Sequence, residues 1–127
     1  MKAKSIKGTS PDEIKSALQQ SMRDGFQPTL AIVFSSIKQD ISSLCKMLDE
    51  AGIAIYGATT NGEFTDDGIS SGEIAIMLLD INPAYFSIMF EEFSEQNYRQ
   101  TTRSIANKAL EKFANPCFLI AGSNVNT

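Results

Sequence analysis

Apolar residues recur along this chain in two rhythms, and the alternation between them predicts the elements. Ile14, Ala17, Leu18 and Met22 keep the spacing of one helix face. Ser10-Pro11-Asp12-Glu13 ahead of them reads as a helix start, with Ser10 as cap, Pro11 at the first helical position and Glu13 closing a capping box. Gly25 is placed to end that helix. Thr29-Leu30-Ala31-Ile32-Val33-Phe34 then forms an unbroken apolar run of strand length, as expected for a strand covered on both faces. A second helix starts near Asp40, carries Ile41, Leu44, Cys45 and Leu48 as its stripe, and stops at Gly52. Ile53 to Tyr56 is a short strand, and Asp66-Asp67-Gly68 is a turn signal. Glu73 to Ile81 is a strand, broken by Asn82-Pro83. Tyr85 to Phe93 alternates apolar and polar positions and reads as its antiparallel hairpin partner. Ser94 opens a third helix with Tyr98, Thr102, Ile105, Ala106, Ala109, Leu110 and Phe113 on one face. Asn115-Pro116 ends it, and Cys117 to Ala121 reads as a last buried strand.

The expected order is therefore αβαβββαβ, an α/β fold with a mixed, mainly parallel sheet flanked by helices. The expected organisation is a single domain over residues 1–127. The polar residues Gly122 to Thr127 follow the last strand with no covering helix. Because an uncovered parallel sheet is rare, the chain is expected to be the N-terminal part of a longer domain.

Three predicted strands, ending near Phe34, Tyr56 and Ala121, each follow a helix and are expected to lie parallel. Their C-terminal loops would then share one rim, where open α/β sheets bind ligands. Those loops are Ser35-Ser36, Gly57-Ala58-Thr59-Thr60-Asn61-Gly62-Glu63 and Gly122 to Asn126. They are rich in glycine, which allows close backbone approach, and in hydroxyls and amides, which bond directionally without fixed charge. Ser35, Gly57, Thr59, Thr60, Asn61, Gly62, Glu63 and Asn124 are the candidate ligand-binding residues. Backbone amides near Gly57 and Gly62 would meet a carboxylate, hydroxyls and Asn61 would bond it, and Glu63 would meet an ammonium. Taken one at a time, these are also ordinary turn residues. Asn61-Gly62 in particular is a strong hairpin turn, with Thr59-Thr60 and Glu63-Phe64-Thr65 able to pair around it.

Composition removes several classes. The chain of 127 residues has a net charge of −4 and no basic run, which argues against nucleic acid and anionic membrane as partners. It contains no histidine, so Ser-His-Asp and Cys-His mechanisms within this chain are excluded, as are most zinc sites. Cys45 and Cys117 read as small buried residues rather than a disulfide or a metal pair. Glu63 stands where a phosphate-binding loop needs lysine, so Gly57 and Gly62 do not form a phosphate cradle. Glu63, Asp66, Asp67 and Glu73 form a loose acidic group that fits a solvated loop better than a metal site. No cofactor or metal is expected. The basic N-terminus lacks an apolar segment behind it, and no stretch reaches the roughly 18 residues of a membrane span, so the expected location is the cytoplasm.

With these residues in place the chain resembles the N-terminal part of a FIST domain. The resemblance rests on Leu30 to Ser35, on Ile55-Tyr56-Gly57-Ala58-Thr59-Thr60-Asn61-Gly62-Glu63-Phe64, and on Glu73 to Leu79. Ala58 stands where many relatives have cysteine, at a position given no role. The resemblance implies a sensory domain of bacterial signal-transduction proteins, including two-component systems. It would bind small ligands, amino acids among them, and relay occupancy to a kinase, cyclase or chemotaxis output in the same or another chain. It carries over no catalytic residues. Two rivals stand beside it. One is an enzyme using Glu63 as general acid or base with partners beyond the chain. The other is a module that forms homodimers through a Tyr85–Phe93 edge strand.

Overall fold

The strand Leu30–Ser36 (β2) sits near the centre of the architecture because both its edges are paired. The structure is a computed structural model and describes residues 1–60, 63–65, 68–70, 72–92 and 96–121, with the side chains of 60, 63–65 and 68–70 left aside. Along the chain the elements are β1 (Lys2–Gly8), α1 (Pro11–Ser21), β2, α2 (Ile41–Glu50), β3 (Ala54–Thr60), β4 (Glu63–Thr65), β5 (Gly68–Ser70), β6 (Ile74–Asp80), a short 3-10 turn at Pro83–Tyr85, and α3 (Tyr98–Lys112). The fold is α/β with a four-stranded mixed sheet in the order β1-β6-β2-β3. Only β2 and β3 run parallel; β6 is antiparallel to both β1 and β2.

Two compact units emerge, Met1–Tyr85 and Phe86–Thr127. The first holds the sheet with α1 and α2. Strand alternation sends Ala31 and Val33 of β2, Ile74, Ile76 and Leu78 of β6, and Ile55 of β3 to the same face. There they meet Ile14 and Leu18 of α1 and Leu44 and Leu48 of α2 in one buried cluster. The other face carries Leu30, Ile32, Phe34, Tyr56 and Leu79 half-buried, with Met77 exposed. The β4–β5 hairpin approaches β6.

The helix ends follow their sequence signals. The Ser10 Oγ accepts the Glu13 amide at 3.2 Å, and the Glu13 carboxylate accepts the Thr9 amide at 2.7 Å. The reciprocal arm thus reaches one residue further back than in a standard capping box. Gly52 takes φ +74° just after α2, a left-handed conformation that ends the helix. Lys4 of β1 ties the far end of α1: its ammonium donates to the Ser21 carbonyl and to Asp24, both at 2.7 Å.

Four expectations are corrected. β1 was not anticipated, because Ile6 is its one strong apolar residue among three lysines; lysine-rich strands of this kind suit a sheet edge. Residues 86–92 form no strand. A hairpin partner for β6 needs a free edge, and β6 already has β1 on one side and β2 on the other. Within the second unit this segment is instead tied to α3, through Lys108 to Glu91 at 2.7 Å and Lys112 to Ser87 at 3.2 Å. The same helix starts at Tyr98, with Asn97 at the N-cap position but no capping hydrogen bond from its side chain, later than Ser94 suggested. Cys117 to Ala121 is not a strand and is not buried, with Ile120 exposed at 82%. A run of β-forming residues becomes a strand only when a ladder receives it, so its apolar pattern alone did not decide the outcome.

Candidate functional site

Strands β2 and β3 end side by side, and their parallel ladder is continuous to the last residue. Val33 lies opposite Gly57, Ser35 opposite Thr59, and Ser36 opposite Thr60. The expected loops Ser35-Ser36 and Gly57 to Thr60 are therefore strand, not loop. This is a correction of conformation but not of place, since these residues do occupy the C-terminal ends of two parallel strands.

Alternation puts Val33, Ser35, Ile55, Gly57 and Thr59 on the face that α2 covers. Side-chain size falls toward the strand ends, from Val33 to Ser35 on β2 and from Ile55 to Gly57 and Thr59 on β3. Leu44 and Leu48 fill the space below α2, whereas Ile41 and Cys45, on the adjoining face of the helix, are only half-buried. The mismatch opens a cleft of about 220 Å³ lined by Val33, Ser35, Ile41, Cys45, Ile55, Gly57, Ala58 and Thr59.

Gly57 is required by this geometry. A Cβ there would collide with the Val33 carbonyl oxygen and lie 2.9 Å from the Val33 Cβ. Its amide is also informative. The Ala54 amide donates to the Thr29 carbonyl at 2.9 Å, fixing which residues of β3 turn toward β2. By alternation the Gly57 and Thr59 amides turn the other way, toward the side of β3 that borders no strand among the described residues.

Ser35 is buried to 2% exposure, and its hydroxyl donates to the Ser36 carbonyl at 3.1 Å. Its oxygen keeps acceptor capacity. The Ser36 hydroxyl accepts the Lys38 amide at 3.2 Å, and the Ser36 amide donates to the Glu73 carbonyl at 3.0 Å, so this residue shapes the exit from β2. Gln39 in the same exit donates to the carbonyls of Thr9 at 2.9 Å and Gly72 at 2.8 Å. Asp40 caps α2, accepting the Ser43 hydroxyl at 2.7 Å and its amide at 3.1 Å. The Ser43 hydroxyl and amide hold the Asp40 carboxyl below the usual carboxylate range.

Of the predicted site residues, Ser35, Gly57 and Thr59 come together in the cleft. Thr60 and Glu63 are described by their backbones alone, in β3 and β4. Asn61, Gly62 and Asn124 lie outside the described residues, as do Asp66 and Asp67 of the acidic group. The hairpin observed pairs Glu63–Thr65 with Gly68–Ser70. Thus Glu63-Phe64-Thr65 pairs forward, and Thr59-Thr60 pairs with β2 instead. Among the described residues no group of three or more His, Cys, Asp or Glu is placed to hold a metal ion. The reading by strand ends missed Ile41 and Cys45, whose helical spacing marked them only as core. It also missed Gln39, for which no pattern gave a signal.

A family profile described as the FIST N domain matches residues 29–127 of this chain. The chain belongs to the FIST N domain family. The match begins just before β2 and includes every residue lining the cleft. FIST domains are sensory domains of signal transduction and are not known as catalysts. No curated protein and no solved structure matches the chain. The FIST membership thus agrees with the resemblance carried by Ile55 to Phe64, whose first half is β3 itself.

Proposed function

We propose that this FIST domain senses a small molecule, an amino acid being the best candidate, and that the cleft between α2 and the ends of β2 and β3 receives it. The carrying observation is the convergence of Ser35, Gly57 and Thr59, from two strands, in one cleft under a helix. Small concave sites with few polar groups are the usual form of ligand pocket, and strand ends of α/β sheets are their usual place. In this reading Thr59 and the Ser35 oxygen bond the ligand, outward amides of β3 meet its carboxylate, and Thr60, Asn61, Gly62, Glu63 and Asn124 complete the rim, with Glu63 facing the ammonium. Gln39 and Asp40 hold the segment joining β2 to α2, so occupancy would bias the position of α2. The output is a kinase, cyclase or chemotaxis partner in the same or another chain, in a cytoplasmic bacterial system. The whole of residues 1–127 acts as one sensory domain.

Thermal-shift screening of the protein against the proteinogenic amino acids tests the reading. Concentration-dependent stabilisation by at least one of them is expected. An intact fold with no response to any would contradict it. Catalysis is not favoured by any observation. A homodimer built on a Tyr85–Phe93 edge strand lacks its strand in residues 86–92.

A further inference from the structure

The cleft differs in character from the rim expected around it. Among the described residues none of its lining is charged: the side chains of Val33, Ile41 and Ile55 are aliphatic, and the polar groups are two hydroxyls and the Cys45 thiol. A charged group placed among them would lose water without gaining a counter-ion, which is costly. An uncharged apolar group would lose only water that bonds poorly there. Size sets a second limit. A dry apolar cavity of roughly 150 Å³ is known to hold a benzene molecule, and this cleft has about 220 Å³. It has room for a branched aliphatic or single-ring group.

We propose that the cleft is a specificity pocket for an apolar side chain, and that the ligand is an amino acid of the leucine or phenylalanine type, seated side chain inward. The polar ends of the ligand stay at the strand ends, where the hydroxyl of Thr59 and the outward amides of β3 lie. This assignment rests on the sensory reading of the same cleft and adds to it the class of ligand. Acidic and basic amino acids are disfavoured by the lining and not by the rim.

Cys45 gives a reporter inside the cleft. The other cysteine, Cys117, is exposed, so a Cys117→Ser variant isolates the Cys45 signal. The rate of Cys45 alkylation by N-ethylmaleimide is measured with L-leucine, L-phenylalanine, L-aspartate and L-lysine, and ¹³C-methyl shifts of Val33, Ile41 and Ile55 are followed in parallel. L-leucine or L-phenylalanine is expected to slow alkylation and to shift those methyl groups. L-aspartate and L-lysine are expected to need roughly tenfold or higher concentrations for the same effect, the cost of an unpaired charge. Equal protection by charged and apolar amino acids overturns the selectivity while leaving the sensory reading intact. Thermal stabilisation by an amino acid that neither protects Cys45 nor moves the methyl signals overturns the pocket assignment and the cleft as the binding place, while ligand binding itself stands. If no amino acid does any of these things, the inference and the sensory reading fall together.

Discussion

Gly57 illustrates how a single residue can serve fold and site at once. Its missing Cβ lets β3 pair closely with β2 beside Val33, and the same absence keeps the floor of the cleft open. Gly57→Ala should therefore destabilise the protein by about 1–3 kcal/mol through overpacking, read from urea unfolding midpoints. A neutral effect would mean that the two strands are not so tightly apposed. Asp40 acts at the same scale but through charge. Its carboxyl is held low by Ser43, so its contribution is present above the unfolded carboxylate value of about 3.9 and is lost as pH falls through the lower folded value. Asp40→Asn should keep much of the cap yet flatten the acid limb of the melting-temperature profile. Asp40→Ala should lose the cap at neutral pH as well. Matching acid limbs in wild type and Asp40→Asn would contradict the assignment.

Among the elements, α2 has a divided role. One face, with the fully buried Leu44 and Leu48, anchors it, and the adjoining face, with Ile41 and Cys45, roofs the cleft. Leu48→Ala should cost about 2–5 kcal/mol in denaturant unfolding. Gln39→Ala should instead leave the carbonyls of Thr9 and Gly72 without their side-chain donor, for a loss on the order of 0.5–1.5 kcal/mol. Its signature should be faster amide exchange around the start of α2, with the core amides near Leu48 unchanged. These elements were legible to different degrees. The helices α1 and α2 and the strand β6 announced themselves by period, caps and breakers, and Gly52 ended α2 as its type suggests. β1 was illegible because an edge strand with three lysines has no apolar period to read. The Tyr85–Phe93 alternation misled because period cannot report that both edges of β6 are already taken. Ser35-Ser36 and Gly57 to Thr60 read as loops because their residue types favour turns, yet the ladder carries them as strand. Their grouping at the strand ends was nevertheless visible, since it follows from the helix–strand order alone.

In the molecule as a whole, protection should follow the sheet order. β6 and β2 have neighbours on both edges and bury Ile74, Ile76, Leu78, Ala31 and Val33, so their amides should exchange last. β1 and residues 117–121 should exchange early. Slow exchange in β1 matching that of β6 would contradict this order. No helix among the described residues is long and apolar enough to cross a membrane. The FIST membership supplies the sensory character, and the cleft is the location proposed for the stimulus. The central claim is that a small metabolite binds where β2, β3 and α2 meet. The most direct test is an amide and methyl NMR titration of the protein with the amino acids that stabilise it. Binding-induced shifts centred on Ser35, Gly57, Thr59, Ile41 and Cys45 are predicted. Saturable shifts centred elsewhere, with those five residues unmoved, would contradict the account.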